Sequence, residues 1–378
     1  MRQKCRTRAH PTRSGSIRHL DHRNSDTADK AVRSAPEFPR TRYQGSKAKL
    51  IPWLREVFQQ LDFESVLDAF GGTGSVSHML KHEGKAVTYN DLLAANATFA
   101  RGLIENDSVT LTEHQIETHL RFDASRPEPG FISDTFQGIY YTDEENEWLD
   151  EALRRLLAVS PDRFDYALLF FAIAQACIIK RPYNLFHRKN LYLRLAKVER
   201  SFGNKVAWDK PFPAWAAAFA REANGAVFEG RHPANVINGD ACDIEGPFDL
   251  VYMDPPYLSK RGNGVDYRQF YHFLEGLAHH SDWPDLIDWN SKNRRFHKQP
   301  NDWSHPQRVL VKFEEVFDRH RRSTLAVSYR DDGTPSIEEL RRLLQRHKNR
   351  VRVIEYGTYH YALSTNAKSK EVVLLAED

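Results

Sequence analysis

The run Ser65-Val-Leu-Asp-Ala-Phe70 stops at Gly71-Gly-Thr-Gly74, and a helix-forming segment, Ser75 to Glu83, follows at once. Gly84 stands where a helix C-cap is expected, and Ala86-Val-Thr-Tyr-Asn-Asp91 then reads as a second strand. Strand, glycine turn, helix, strand is the first half of a doubly wound α/β sheet. That order constrains the chain more than any bulk property.

A helix signal covers Lys47 to Gln60, ahead of the first strand. After Asp91 the texture changes. Residues 110–225 hold two strong helix patterns, Thr142 to Val159 and Pro161 to Lys180, and then a basic, aromatic stretch without strand period. Strands return at Asn235–Asp240, Phe248–Tyr257, Thr324–Tyr329, Val351–Tyr359 and Glu371–Leu375, with an amphipathic helix from Ser336 to Arg346. The pattern predicts a doubly wound, Rossmann-like sheet split by a mainly helical insert.

Composition bounds the rest. A chain of 378 residues with 40% hydrophobic and 28% charged residues has the profile of a soluble globular protein with ample core. The longest apolar run, Tyr166 to Ile179, is broken by Gln175 and falls short of the roughly 20 residues a membrane span needs, so a buried helix is expected there. Cys5, Cys177 and Cys242 lie far apart, which offers neither a disulfide framework nor a metal knuckle and suits a reducing cytoplasm. No His/Cys cluster has zinc-ligand spacing, so no metal is assigned. The net charge of +3 makes any nucleic-acid surface a local matter. Residues 1–38 are rich in Arg, Ser and His and read as a disordered basic tail; Asp21, Asp26 and Asp29 argue against a transit peptide.

Three segments carry chemistry. In Asp68-Ala-Phe-Gly-Gly-Thr-Gly74 the glycines let backbone approach a ligand, although a strand-to-helix turn can have the same sequence without one. Asp91 closes the second strand twenty residues after Gly71, where a carboxylate can accept from both hydroxyls of a ribose. That spacing favours a nucleoside cofactor, and a dinucleotide fits equally well. Asp254-Pro-Pro-Tyr257 ends a hydrophobic strand, at the edge where open parallel sheets bind ligands. Two prolines donate no backbone hydrogen bonds, so the chain leaves the sheet as a rigid extended corner. Asp254 and the Pro255 carbonyl are then two acceptors able to grip the hydrogens of a planar amino group. Tyr257 offers a ring on which an extruded base can stack.

With these residues in place, residues 42–378 resemble the Dam-type, alpha-class DNA adenine-N6 methyltransferases in both motifs and chain order. The resemblance implies S-adenosyl-L-methionine as cofactor and double-stranded DNA as substrate. Arg42-Tyr-Gln-Gly-Ser-Lys47 resembles that family's amino-terminal motif, which implies cofactor contacts for Tyr43 and Lys47. It likewise implies a cofactor loop of Asp68, Phe70, Gly71 and Gly74, a ribose acid at Asp91 and an acid near the cofactor's adenine at Asp240. Asp254, Pro255, Pro256 and Tyr257 match the catalytic tetrapeptide, Asp254 also bordering the cofactor, and Tyr359 to Leu375 resembles the closing hairpin. The tail and the insert depart from the family pattern.

Lys180 to Arg200 holds seven Lys or Arg against one Glu, interleaved with Tyr183, Phe186 and Tyr192. Phosphate contacts and aromatic wedges are expected there, from Lys180, Arg181, Tyr183, Arg188, Lys189 and Arg194; a solvated charged face is the alternative. Ser259 to Pro306, with Lys260, Arg261, Arg294, Arg295, Lys298, Trp283, Trp289 and Trp303, either closes over the target base or reaches the duplex, or is a packed surface excursion.

The expectation is a catalytic domain in two parts, 39–108 and 232–378, flanking a target-recognition insert at 109–231. Its expected activity is methylation of a flipped-out adenine in DNA within restriction-modification or DNA marking, in a prokaryotic or phage-like cytoplasm, with a cognate endonuclease as a possible partner. The alternatives are another planar amine (cytosine's amino group, adenine in RNA or a glutamine amide) and a non-catalytic DNA-binding module.

Overall fold

The computed structural model describes residues 36–40, 43–121, 130–196, 204–259, 264–358 and 369–378. Most of the expected tail lies outside these residues, as do Arg42, Lys197, Arg200, Lys260, Arg261 and Tyr359. The tail's expected boundary at residue 38 is corrected: Phe38 packs on the core with its ring 5.1 Å from that of His78.

Seven strands form the main sheet: β1 (Ser65–Asp68), β2 (Ala86–Asp91), β3 (Asn235–Asn238), β4 (Leu250–Met253), β5 (Thr324–Arg330), β6 (Arg350–Thr358) and β7 (Lys370–Glu377). Their order across the sheet is β3-β2-β1-β4-β5-β7-β6. The first five are parallel, and β7 runs antiparallel between β5 and β6. This is the doubly wound, Rossmann-like arrangement that the sequence predicts. Strand order reverses at β1, which pairs with β2 on one side and β4 on the other. Such a switch point opens a crevice outside the carboxyl ends of the strands. Asp68 ends β1 there, and Asp254 directly follows β4.

Side chains alternate between two cores, as the pleat requires. Val66, Leu250 and Tyr252 join one buried cluster, and Leu67, Val251 and Met253 join the other. The second core is closed by two amphipathic helices. Val309–Arg319 contributes Phe313 and Phe317, and Ile337–Leu344 contributes Leu340 and Leu344. The latter helix starts at a capping box of Ser336 and Glu339, which satisfies backbone N–H groups otherwise left without partners.

The first core runs without a break into the helical segment. Helix α1 (Ala94–Ala100) is followed by α2 (Asp143–Leu157), α3 (Phe164–Ile179) and α4 (Phe212–Ala226). Every residue of α3 from Asp165 to Ile179 is buried, so the long apolar run is a core helix. Phe99 of α1 meets Phe170 and Phe171 of α3 at 5.7 and 5.4 Å. Beyond α1, Gly102 lies against the Ala167 and Leu168 backbone, where an added Cβ would approach to 3.3 Å. The described residues from 36 onwards accordingly pack as one compact unit. No helix among the described residues is long and apolar enough to cross a membrane.

Gly71 shows how tightly the turn after β1 is built. A Cβ there would fall 2.0 Å from the Tyr89 ring. Gly71→Ala should therefore cost about 1–3 kcal/mol by overpacking. A chemical-denaturation midpoint equal to that of the wild type would contradict the fit described.

Candidate functional site

The loop Ala69–Gly74 is shaped from beneath by β2. Gly71 N donates to Asn90 O at 2.8 Å, the Tyr89 hydroxyl to Gly72 O at 2.7 Å, and Gly72 N to Asp91 Oδ2 at 2.9 Å. Gly74, at φ 83°, turns the chain into the helix Ser75–His82, a left-handed geometry that favours glycine. These contacts leave a cavity of about 920 Å3 above the switch point. It is lined by Tyr43, Lys47, Asp68, Phe70, Gly71, Asp91, Asp240 and the tetrapeptide Asp254 to Tyr257. Of the cofactor and catalytic residues expected from sequence, Gly74 does not reach it; its part is to turn the backbone.

The acids divide by environment. Asp91 Oδ1 also accepts from Leu93 N at 2.8 Å, and burial pushes its carboxyl up to about 6. Asp68 accepts from the Ser77 hydroxyl at 2.6 Å through Oδ2, while its buried Oδ1 has no hydrogen-bond partner. Burial holds its carboxyl at about 7, against the hydrogen bond from Ser77. Asp240 Oδ1 accepts from Cys242 N at 2.9 Å and from Trp303 Nε1 at 3.4 Å, and the Trp303 ring meets Phe70 edge-on at 4.7 Å. Trp303 thus brings the segment after the tetrapeptide back to the cavity wall.

On the cavity wall, one ammonium organises the tetrapeptide. Lys47 Nζ lies 2.7 Å from Asp254 Oδ1, 2.6 Å from the Tyr257 hydroxyl and 3.4 Å from Glu371 Oε1. The Tyr257 hydroxyl is in turn 2.7 Å from Asp254 Oδ1 and 2.9 Å from Glu371 Oε1. Glu371, fully buried on β7, also accepts from the Ser328 hydroxyl at 2.6 Å. All these contacts to Asp254 fall on Oδ1; Oδ2 has no hydrogen-bond partner among the described residues. Burial raises the Asp254 carboxyl, opposed by Lys47. Burial would lower the Lys47 ammonium, but the neighbouring Asp254 and Glu371 carboxylates carry it above its ordinary value. Lys47, expected to contact a cofactor, is the cation of this network.

Aromatic rings close one wall. Tyr43 stacks on Tyr271 at 4.1 Å and on Tyr267 at 5.9 Å, and its hydroxyl accepts from Asn96 Nδ2 at 3.1 Å. Sequence reasoning missed Tyr267 and Glu371. The available signal for Glu371 was an acid at the start of the otherwise apolar run Val372-Val-Leu-Leu375.

The expected DNA contacts need correction. The Lys180 side chain, 2% exposed, donates to Trp208 O and Lys210 O and pairs with Glu145 at 2.8 Å. Arg194, 4% exposed, pairs with Glu145 at 2.6 Å. Arg181 is buried, and its guanidinium donates to Leu185 O, Tyr140 O, Arg188 O and Asn190 Oδ1. Buried cations need partners inside the protein, so these three hold the fold together and do not face a duplex. Tyr183, Arg188 and Lys189 are exposed. Among the described residues no group of three or more His, Cys, Asp or Glu could hold a metal ion.

An open crevice over a doubly wound sheet, with an acid at the end of each of two neighbouring strands, is where Rossmann-like folds bind their ligands. Residues 43–200 match the family model of the D12 class N6 adenine-specific DNA methyltransferases. Modification methylase LlaI of Lactococcus lactis subsp. lactis is 22% identical over 362 residues, covering 88% of this chain and 54% of that protein. Type II methyltransferase M.FokI of Planomicrobium okeanokoites is 24% identical over 341 residues, covering 81% and 47%. Type II methyltransferase M.NlaIII of Neisseria lactamica is 22% identical over 316 residues, covering 80% and 87%. The chain thus spans about half the length of the LlaI and FokI enzymes.

Two outcomes test the site's electrostatics. Lys47→Met leaves Asp254 and Glu371 as buried carboxylates without their cation, and should cost about 3–5 kcal/mol in urea unfolding. Adding Glu371→Gln should recover part of that loss; a double variant as unstable as the sum of the singles would contradict the network. The raised Asp68 carboxyl contributes stability that is fully present below its ordinary 3.8 and lost as pH rises through about 7. Asp68→Asn should therefore flatten the decline in unfolding free energy across that window, and an unchanged slope would refute the assignment.

Proposed function

We propose that this chain is a site-specific DNA methyltransferase that transfers a methyl group from S-adenosyl-L-methionine to the exocyclic amino nitrogen of a flipped-out adenine. The observation that carries the reading is the asymmetry of Asp254. Lys47 and Tyr257 pin Oδ1, and Oδ2 remains as an acceptor on the wall of the cavity that also holds Asp68 and Asp91.

The residues fit the cofactor. A cavity of about 920 Å3 is large enough for a nucleoside-bearing ligand. The buried Oδ1 atoms of Asp68 and Asn90 lack partners, and a ligand donor would satisfy them. Asp91 would hold the ribose, and Asp240 with Phe70 and Trp303 would surround the adenine. When bound, the cofactor supplies a methyl group activated by a sulfonium. The chain's own part is positioning and charge. Asp254 Oδ2 would accept one N–H of the target amine and the Pro255 carbonyl the other, and the carboxylate would stabilise positive charge developing on the nitrogen. Tyr257, its hydroxyl tied to Asp254 and Glu371, presents a ring of fixed orientation to the base.

In this reading the helical segment 109–231 and the excursion after the tetrapeptide carry the DNA, with Tyr183, Arg188 and Lys189 among the contacts. The match to modification methylases supports a place in restriction-modification, with a cognate endonuclease as partner.

Asp254→Ala should abolish methyl transfer while retaining cofactor affinity in calorimetric titration. Mass spectrometry of nucleosides from a host expressing the wild type should show N6-methyladenine in DNA. Methylation by the variant, or a modified nucleoside or amide of another kind, would overturn the assignment.

A further inference from the structure

The basic loop after α3 and the excursion beyond the tetrapeptide are knitted into one surface. Arg181 fixes the loop by donating to Leu185 O at 3.2 Å and Arg188 O at 2.9 Å, so Arg188 and Lys189 project from a held backbone. Phe186 O accepts from Asn293 Nδ2 at 3.0 Å, and the Tyr140 hydroxyl lies 2.7 Å from Phe186 O and 2.8 Å from Asn293 O. Phe186 N donates to Phe270 O at 2.9 Å, and Phe270 lines the catalytic cavity.

Between the segment Asp134 to Ile139 with Lys189 of the loop on one side and the excursion on the other lies an open groove of about 450 Å3, separate from that cavity. Its lining includes Lys189, Lys292, Arg294 and Trp289, with Asp134 as the one acid. Lys189 and Lys292 are exposed and have no ion-pair or hydrogen-bond partner among the described residues. Arg294, held at φ 54°, donates to Trp289 O at 2.6 Å and lies 5.4 Å from the half-exposed Trp289 ring.

We infer that this groove binds the sugar-phosphate backbone of the DNA duplex and holds it in register with the catalytic cavity. The inference rests on the DNA methyltransferase reading. Three cations against one acid give the groove a local positive charge that the nearly neutral chain lacks overall. Unpaired ammoniums on a rigid surface suit phosphates, whose counterions are released on binding. The continuity through Phe186 and Phe270 couples backbone grip to the cavity that the base must enter. Half of the groove comes from a segment outside the insert expected to recognise DNA.

The test uses the full chain carrying Lys189→Glu with Lys292→Glu, and separately Lys189→Ala with Lys292→Ala. Binding of unmethylated genomic duplex fragments is followed by fluorescence anisotropy across a salt series, and calorimetry with S-adenosylmethionine reports the integrity of the cavity. The reversal should weaken duplex binding at least about tenfold at low salt. The alanine pair should make the log–log salt dependence shallower by about two, near 0.9 for each phosphate that is no longer neutralised. Wild-type affinity and slope in both variants, with a wild type that binds and methylates duplex, would remove the groove alone. A wild type that neither binds nor methylates duplex removes the underlying reading and the groove with it.

Discussion

A single buried ammonium holds two carboxylates together, Glu371 fully buried and Asp254 bordering the cavity. Lys47 lies ahead of β1, Asp254 follows β4 and Glu371 sits on β7, so three segments distant in sequence meet at one charge. Two carboxylates this close repel strongly in a poorly solvated site, and the cation between them makes the arrangement tolerable. It also decides the geometry. The hydroxyl of Tyr257 joins the same cluster, so the acid and the ring of the tetrapeptide are fixed by one network.

The sheet places that network. Because strand order reverses at β1, the ends of β1 and β4 are neighbours, and the ligand hollow and the acceptor corner share one cavity. A small antiparallel pairing of Leu258–Ser259 with Gly333–Thr334 ties down the chain just past Tyr257. The other wall is aromatic, with the rings of Tyr43, Tyr267 and Tyr271 near-parallel and mutually in contact. Rigid rings and fixed charges leave little to reorganise when a ligand enters, which is where preorganised sites draw their advantage.

Much of this was legible in the sequence, for identifiable reasons. The apolar run ending at Gly71 specified strand, turn and helix, and the buried length of α3 followed from an apolar run too short to span a bilayer. Charge was misread where burial decides its meaning. Lys180, Arg181 and Arg194 look like a basic stripe in one dimension, but Glu145 and backbone carbonyls consume them in three. Glu145 is itself the capping-box residue of α2, accepting from Thr142 N at 3.0 Å, so one side chain serves both a helix start and two cations. Glu371 escaped for the opposite reason: its partners at the site, Tyr257 and Lys47, lie more than a hundred and over three hundred residues upstream, and no local pattern encodes such a meeting.

That long reach makes the acceptor corner depend on when each part of the chain is made. A nascent polypeptide extended only as far as β5 already holds the glycine loop, Asp91, Lys47 and the two prolines. It lacks β7, and therefore the carboxylate that shares the ammonium with Asp254 and the acceptor for Tyr257 and Ser328. In vectorial synthesis every residue lining the cavity is therefore made before the acid that completes the corner.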